Sequence, residues 1–182
     1  MITPNTLTVL RIVLALILYA VLWKAASLWA YGLCVVLFTT AALTDLWDGQ
    51  MARKHNMESN FGKIADPIAD KILILGSFLI LAARNVYSIW WIMPIAVREI
   101  AVTVVRLIKL GQNQVLAAEW SGKVKTVLQI ITIAVAFFVL VLQTKFHFKL
   151  SLQILEFLLS ILLITSNVVA IYSGFQFFKR LR

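Results

Sequence analysis

Cysteine, histidine and acid are all scarce in this chain, and each scarcity closes off a chemistry. A single cysteine, Cys34, excludes an internal disulfide, and its apolar surroundings give it a packing role. The two histidines, His55 and His147, stand far apart in sequence and supply no Cys/His set, which argues against zinc. Acids number 8 against 17 lysines and arginines, a net charge of +9. In a soluble chain that balance would suggest nucleic acid. Here 62% of residues are hydrophobic and the mean hydropathy is +0.92, whereas soluble domains are about 45–50% apolar. The excess of cations therefore reads as loop charge on a membrane protein, and no nucleic-acid partner is expected. The start, MITPNTLTVLR, lacks a basic region followed by a small-residue cleavage site, so no cleaved signal peptide is expected.

What is present is long apolar runs. At about 20 residues per crossing they fit six transmembrane helices in one domain, 1–182. The first helix starts near Pro4 or Asn5, where an early proline is tolerated, and ends near Lys24. Ala25 to Thr44 carries no charge, and nothing breaks its passage into Asp45, Asp48 and Arg53. After the polar turn KHNMESN, a third helix opens near Gly62 and runs through Asp66, Asp70 and Lys71 to Ala83, with Pro67 causing at most a mild kink. Span four begins at the interfacial pair Trp90–Trp91 and holds Arg98, Glu99 and Arg106. Residues 109–125 read as a polar connection with a short interfacial helix around Val115–Trp120. Spans five and six cover Thr126–Thr144 and Leu150–Phe178. This threading puts both termini on one side with Arg11, Arg53, Lys54, Lys63, Arg106, Lys109, Lys123, Lys125 and the final KRLR cations. Only Lys24, Arg84, Lys145 and Lys149 fall on the other side, so the richer side is the cytoplasmic one. Charge gathers on helices two to four, which suggests a catalytic front half and a packing back half.

Asp45, Asp48, Glu58, Asp66 and Asp70 lie together in the stretch TDLWDGQMARKHNMESNFGKIADPIAD. A carboxylate facing hydrocarbon costs roughly 2.5–3.5 kcal/mol on insertion scales, so these acids are expected to line a polar cavity. Asp45, Asp48, Gly49 and Ala52 share one helical face, and Gly62, Asp66 and Asp70 share another. A short turn makes the two helices antiparallel neighbours, so the faces can converge. Four carboxylates around a hollow suit a hard divalent cation bridging to phosphate. Such a site would favour phosphoryl transfer, with a less committed carboxylate accepting a proton. Two other readings stand beside it. The acids could form a cytoplasmic cap paired with Arg53, Lys54, Lys63 and Lys71, or serve a divalent-cation transporter.

Every fixed position of D-x2-D-G-x2-A-R-x8-G-x3-D-x3-D is filled here, by Asp45, Asp48, Gly49, Ala52, Arg53, Gly62, Asp66 and Asp70. The pattern resembles the signature of the CDP-alcohol phosphotransferases. The resemblance implies six transmembrane helices, a homodimer, dependence on Mg²⁺ or Mn²⁺, and displacement of CMP from a CDP-linked lipid by an alcohol. It implies Asp45, Asp48, Asp66 and Asp70 as metal ligands, with Asp70 also the catalytic base. Gly49, Ala52, Arg53 and Gly62 would line the CDP-lipid site. Asn5 and Thr8 could bond the nucleotide or cap the first helix.

The segments PNTLTVLR, ADPIADKILI, Arg98–Glu99 and SGKVKTVLQ look like the branch of the family that makes phosphatidylglycerophosphate. That likeness implies CDP-diacylglycerol as donor and sn-glycerol 3-phosphate as acceptor, in the plasma membrane with the site facing the cytoplasm. Arg98, Arg106, Lys123 and Lys125 are the candidates for the acceptor phosphate, since arginine suits bidentate phosphate contact. Topological charge is the competing reading for these four. Glu99 could orient a base or offset charge. Another acceptor, such as phosphatidylglycerol or inositol phosphate, is the alternative within the same chemistry.

Overall fold

The computed structural model describes the backbone of residues 4–24, 27–55, 60–112, 114, 120–145 and 149–181. Side chains at 4, 5, 7, 45–55, 60–64, 144, 145 and 149–152 lie outside that description. Among the described residues the regular structure is helical: α1 (Pro4–Lys24), α2 (Leu28–His55), α3 (Asn60–Ala83), a 3₁₀ turn (Ile89–Trp91), α4 (Met93–Gly111), α5 (Trp120–Lys145) and α6 (Lys149–Arg180).

The long helices follow the apolar runs closely, and the differences lie at their polar ends. α2 runs unbroken through the acidic half-motif to His55, and α3 begins at Asn60 rather than near Gly62. Pro67 therefore sits inside α3, where its missing N–H removes one rung of the helical ladder without ending the helix. α5 starts at Trp120, so WSGKVK is already helical rather than part of a polar connection. Cations and small residues hold a helix there because it packs on its neighbours. Of the expected interfacial helix around 115–120, only Trp120 is described. The central residues of KHNMESN also lie outside the described residues.

Contacts between named residues give the helix directions. Thr8 meets Asp66 and Tyr19 meets Leu73, so α1 and α3 run parallel. Tyr31 near the start of α2 meets Arg84 just past the end of α3, so these two are antiparallel. Trp91, Arg98 and Arg106 meet Asn167, Ser173 and Phe177 in that order, so α4 and α6 run parallel. α1 and α3 thus share one direction, α2 runs against them, and α4 and α6 share theirs. The core is a stack of Leu18, Leu22, Phe38, Phe78, Ile133 and Phe137 and their neighbours, with Phe38 and Phe137 joining α2 to α5 at 5.6 Å between ring centroids.

The polarity of this molecule is reversed relative to a soluble bundle. Arg11, Glu99, Lys125, Gln129, Thr132 and Ser173 are buried, while Val13, Leu16, Ile17, Val97, Ile100, Val104, Val168 and Ile171 face outward. Such a broad apolar exterior needs a nonaqueous surrounding. Trp120–Gln143 and Gln153–Arg180 are each long and apolar enough to cross a bilayer, and Leu28–Thr44 is a shorter apolar stretch. The chain is a membrane protein.

α1 approaches α3 closely because of Gly76. The Tyr19 hydroxyl donates to the backbone carbonyls of Ile72 and, at 3.3 Å, Leu73. A Cβ on residue 76 would lie 2.2 Å from that hydroxyl oxygen. Gly76→Ala is therefore expected to cost about 1–3 kcal/mol through overpacking. Gly32→Ala, with nothing within 4 Å of the added carbon, should leave stability unchanged or slightly raised. Thermal unfolding of the two purified variants in one detergent checks the contrast.

Candidate active site

The described half of the acidic motif lies at one end of the helices. Asp66 and Asp70 are one turn apart on α3. Asp66 is exposed and accepts a hydrogen bond from the Thr8 hydroxyl of α1. Thr8 is itself buried and lies inside α1, past the cap position, so helix capping is not its role. Asp70 is half-buried and pairs with Lys71 at 2.8 Å. Arg11, one turn beyond Thr8, is among the most buried side chains of the protein. Asp45, Asp48, Gly49, Ala52 and Arg53 stand on the last turns of α2 and Gly62 on the first turn of α3. Their side chains, and that of Asn5, fall outside the described residues. No set of three metal-ligating side chains occurs among the described residues. The two carboxylates that are described fit a hard divalent cation by donor type. Both are oxygen ligands, both are accessible, and their i, i+4 spacing puts them on one face.

Beside this pair is a second, cationic group. Glu99 of α4 is 1% exposed and gathers three cations. Its Oε1 accepts from Lys125 of α5 and, at 3.2 Å, from Arg98 of its own helix. Gln129 of α5 also reaches Oε1, at 3.4 Å. Lys71 of α3 lies 2.6 Å from Oε2, a close charge contact rather than an aligned hydrogen bond. Lys71 thus touches both Asp70 and Glu99 and belongs to both groups. Three cations against these two carboxylates leave an excess of one positive charge.

The four cations assigned to an acceptor phosphate are not all brought together. Arg98 and Lys125 converge on Glu99. Arg106 lies two turns further along α4, with its guanidinium 5.8 Å from the Phe177 ring centroid. Its Nε is buried and has no hydrogen-bond partner among the described residues. Lys123 is exposed, and a two-residue step along a helix turns it well away from Lys125. Two participants, Gln129 and Ser173, were not singled out by sequence. Lys71 was legible as a cation next to Asp70, whereas Gln129 and Ser173 are uncharged residues in apolar helices and carried no such signal.

Fold and site together define an integral membrane protein with carboxylates and cations gathered at one end of its helices. Residues 1–172 match the family model described as CDP-alcohol phosphatidyltransferase, and the chain belongs to that family. Dependence on a divalent cation goes with that membership. Several relatives are named CDP-diacylglycerol–glycerol-3-phosphate 3-phosphatidyltransferase. The one from Bacillus subtilis is 43% identical over 99 residues, 54% of this chain and 51% of that protein, so the match spans about half the relative's length. Those from Salmonella typhimurium and Escherichia coli K12 are 34% and 33% identical over 137 residues, 72% of this chain and 74% of each relative.

Removing Glu99 would leave Lys125 buried, and Lys71 and Arg98 half-buried, around a missing partner. Glu99→Ala is expected to destabilise the protein by about 3–5 kcal/mol. Adding Lys125→Met to it should recover part of the loss. Unfolding of the single and double variants in detergent measures both, and additive losses would show that the two residues do not interact.

Proposed function

We propose that this chain transfers the phosphatidyl group of CDP-diacylglycerol to sn-glycerol 3-phosphate, giving phosphatidylglycerophosphate and CMP. The observation that carries the proposal is the adjacency just described. Asp70 of the family signature pairs with Lys71, and Lys71 also meets Glu99, where Arg98 and Lys125 converge. The donor brings a diphosphate to the acids, and the acceptor brings a phosphate to the cations. The names of the relatives support the same pair of substrates.

Asp45, Asp48, Asp66 and Asp70 would hold Mg²⁺ or Mn²⁺, and the bound cation would offset charge on the diphosphate and on the departing CMP. Thr8 fixes one of those carboxylates through its hydroxyl. Gly49, Ala52, Arg53, Gly62 and Asn5 would line the nucleotide end of the donor site. Asp70 takes the proton of the acceptor hydroxyl as the oxygen attacks the lipid-linked phosphorus. The new P–O bond forms as the bond to CMP breaks. Lys71 orients the Asp70 carboxylate from its other side. Arg98 and Lys125 bind the acceptor phosphate. The buried Nε–H of Arg106 offers a further donor that a phosphate oxygen would satisfy. Lys123, exposed at the rim, contributes attraction at longer range. We read the helices as six crossings of the plasma membrane in one domain, with both termini and the site on the cytoplasmic face. The functional unit would be a homodimer.

Purified protein with CDP-diacylglycerol should release CMP with glycerol 3-phosphate and far less with inositol phosphate, serine or phosphatidylglycerol. A chelator should abolish release, and Mg²⁺ or Mn²⁺ should restore it. Preference for another acceptor would move the assignment within the family, and silence with all four would remove the enzyme reading. Asp70→Asn should lower kcat by about 10²–10⁴-fold, the usual contribution of a positioned base, while retaining CDP-diacylglycerol binding. Near-normal turnover in that variant would relieve Asp70 of its role.

A further inference from the structure

α6 carries no charge between Phe157 and Phe178 and has the composition of a packing helix. Its buried face is nevertheless polar and small, with Ser166, Asn167, Ala170, Ser173 and Gly174 in succession. That face lies on α4 in register. Asn167 donates from Nδ2 to the Trp91 carbonyl at 3.0 Å, Ser173 meets Arg98, and Phe177 meets Arg106. Both arginines assigned to the acceptor phosphate thus rest on this one face.

The contact with Arg98 is the most developed. Nη2 donates to the Ser173 hydroxyl oxygen at 2.6 Å, while Nη1 donates to Glu99 at 3.2 Å. One contact would leave a guanidinium free to swing about its terminal bonds. Two contacts on different nitrogens, from different helices, fix its plane. That plane matters because arginine binds phosphate through a rigid planar fork. The next residue, Gly174, sets the height of the stem. A Cβ there would lie 3.0 Å from Arg98 Cγ, 3.6 Å from Nε and 3.9 Å from Cδ. The absence of a side chain therefore lets the arginine stem lie directly on the α6 backbone. A buried hydroxyl at the head of the arginine and a glycine beneath its stem form a cradle, and simple helix packing requires neither.

We infer that Ser173 and Gly174 are positioning residues that aim the Arg98 guanidinium at the acceptor phosphate. The inference rests on the acceptor role given to Arg98 above. It makes α6 part of the specificity for a phosphorylated acceptor, although no α6 side chain is proposed to touch substrate.

The test uses the full chain in detergent, with CMP release followed against each substrate in turn. Arg98→Lys, which keeps the charge and loses the fork, should raise KM for glycerol 3-phosphate at least tenfold. Ser173→Ala should raise the same KM by about five- to tenfold, the scale of one typical intramolecular hydrogen bond. It should leave KM for CDP-diacylglycerol within about twofold, because the donor site does not depend on Arg98. Ser173→Thr, which keeps the hydroxyl, should restore the parent value. Gly174→Ala should act in the same direction as Ser173→Ala. Ser166→Ala, equally buried two turns earlier on α6, should change neither KM. Thermal unfolding of every variant separates loss of fold from loss of aim. If Gly174→Ala does not fold, the Ser173 pair carries the test alone. An unchanged KM in Arg98→Lys overturns the acceptor role of Arg98 and the inference with it. A raised KM in Arg98→Lys with an unchanged one in Ser173→Ala overturns the inference alone. So does a parallel rise in both KM values in Ser173→Ala.

Discussion

The structure depends on one buried carboxylate. Glu99 is closed off from solvent, and it draws Lys71, Arg98 and Lys125 to a single point. At an effective dielectric near 20 each close pair contributes about 4–6 kcal/mol of attraction. Desolvation costs several kcal/mol per ion, so any one pair roughly breaks even. One acid here offsets the burial of Lys125, while Lys71 and Arg98 stay partly exposed, so the cluster buries fewer charges than it gathers. Hydrocarbon surroundings sharpen the constraint, since a cation left unmatched there has no water to turn to. Separating α3, α4 and α5 at this end would break the arrangement, so the ion cluster sets their relative positions.

The rest of the molecule follows from keeping polar groups inside and apolar groups outside. α1 is fastened to α3 by Thr8 at the site end and by Tyr19 on the backbone opposite Gly76 further along. α6 is fastened to α4 by Asn167, Ser173 and the Phe177 ring. These contacts are hydrogen bonds and close backbone approaches, the means by which helices associate where water does not drive them together. The exterior of the same helices is valine, isoleucine, leucine and phenylalanine, which suits lipid and contributes little to helix order.

Helix number, extent and the acidic signature were legible in the sequence because each is a local property. An uncharged run such as Ala25–Thr44 or Thr126–Thr144 declares itself, and the i, i+3, i+4 spacing of the aspartates needs no partner to be read. Asp66 and Asp70 were found on one face of one helix, as expected. What could not be read is which distant residue answers each charge. Lys125 looked like one more cation near a helix start, yet it is buried on Glu99, 26 positions away. The polar tract before Thr126 suggested a loop. It is instead helical from Trp120, where Lys125 meets the buried Glu99 of a neighbouring helix, a tertiary cause that composition does not register. The division into a catalytic front and a packing back also reflected charge alone. Ser173 and Gly174 carry no charge, yet both lie against Arg98.

Lys71 is the residue that joins the two halves of the site. It pairs with Asp70 at 2.8 Å and with Glu99 at 2.6 Å, so one ammonium is shared between the carboxylate group and the cation group. The first group suits the diphosphate of a nucleotide-linked lipid through a divalent ion. The second, with its surplus positive charge, suits a small phosphate ester. A transfer between two anionic substrates has to hold them close against their mutual repulsion. Countercharge placed separately under each would bind both without fixing the distance between them. A shared lysine sets that distance by covalent geometry, since Asp70 and Lys71 are neighbours in the chain and Glu99 is locked by its other partners. In the proposed reaction this would hold the acceptor at a fixed reach from Asp70.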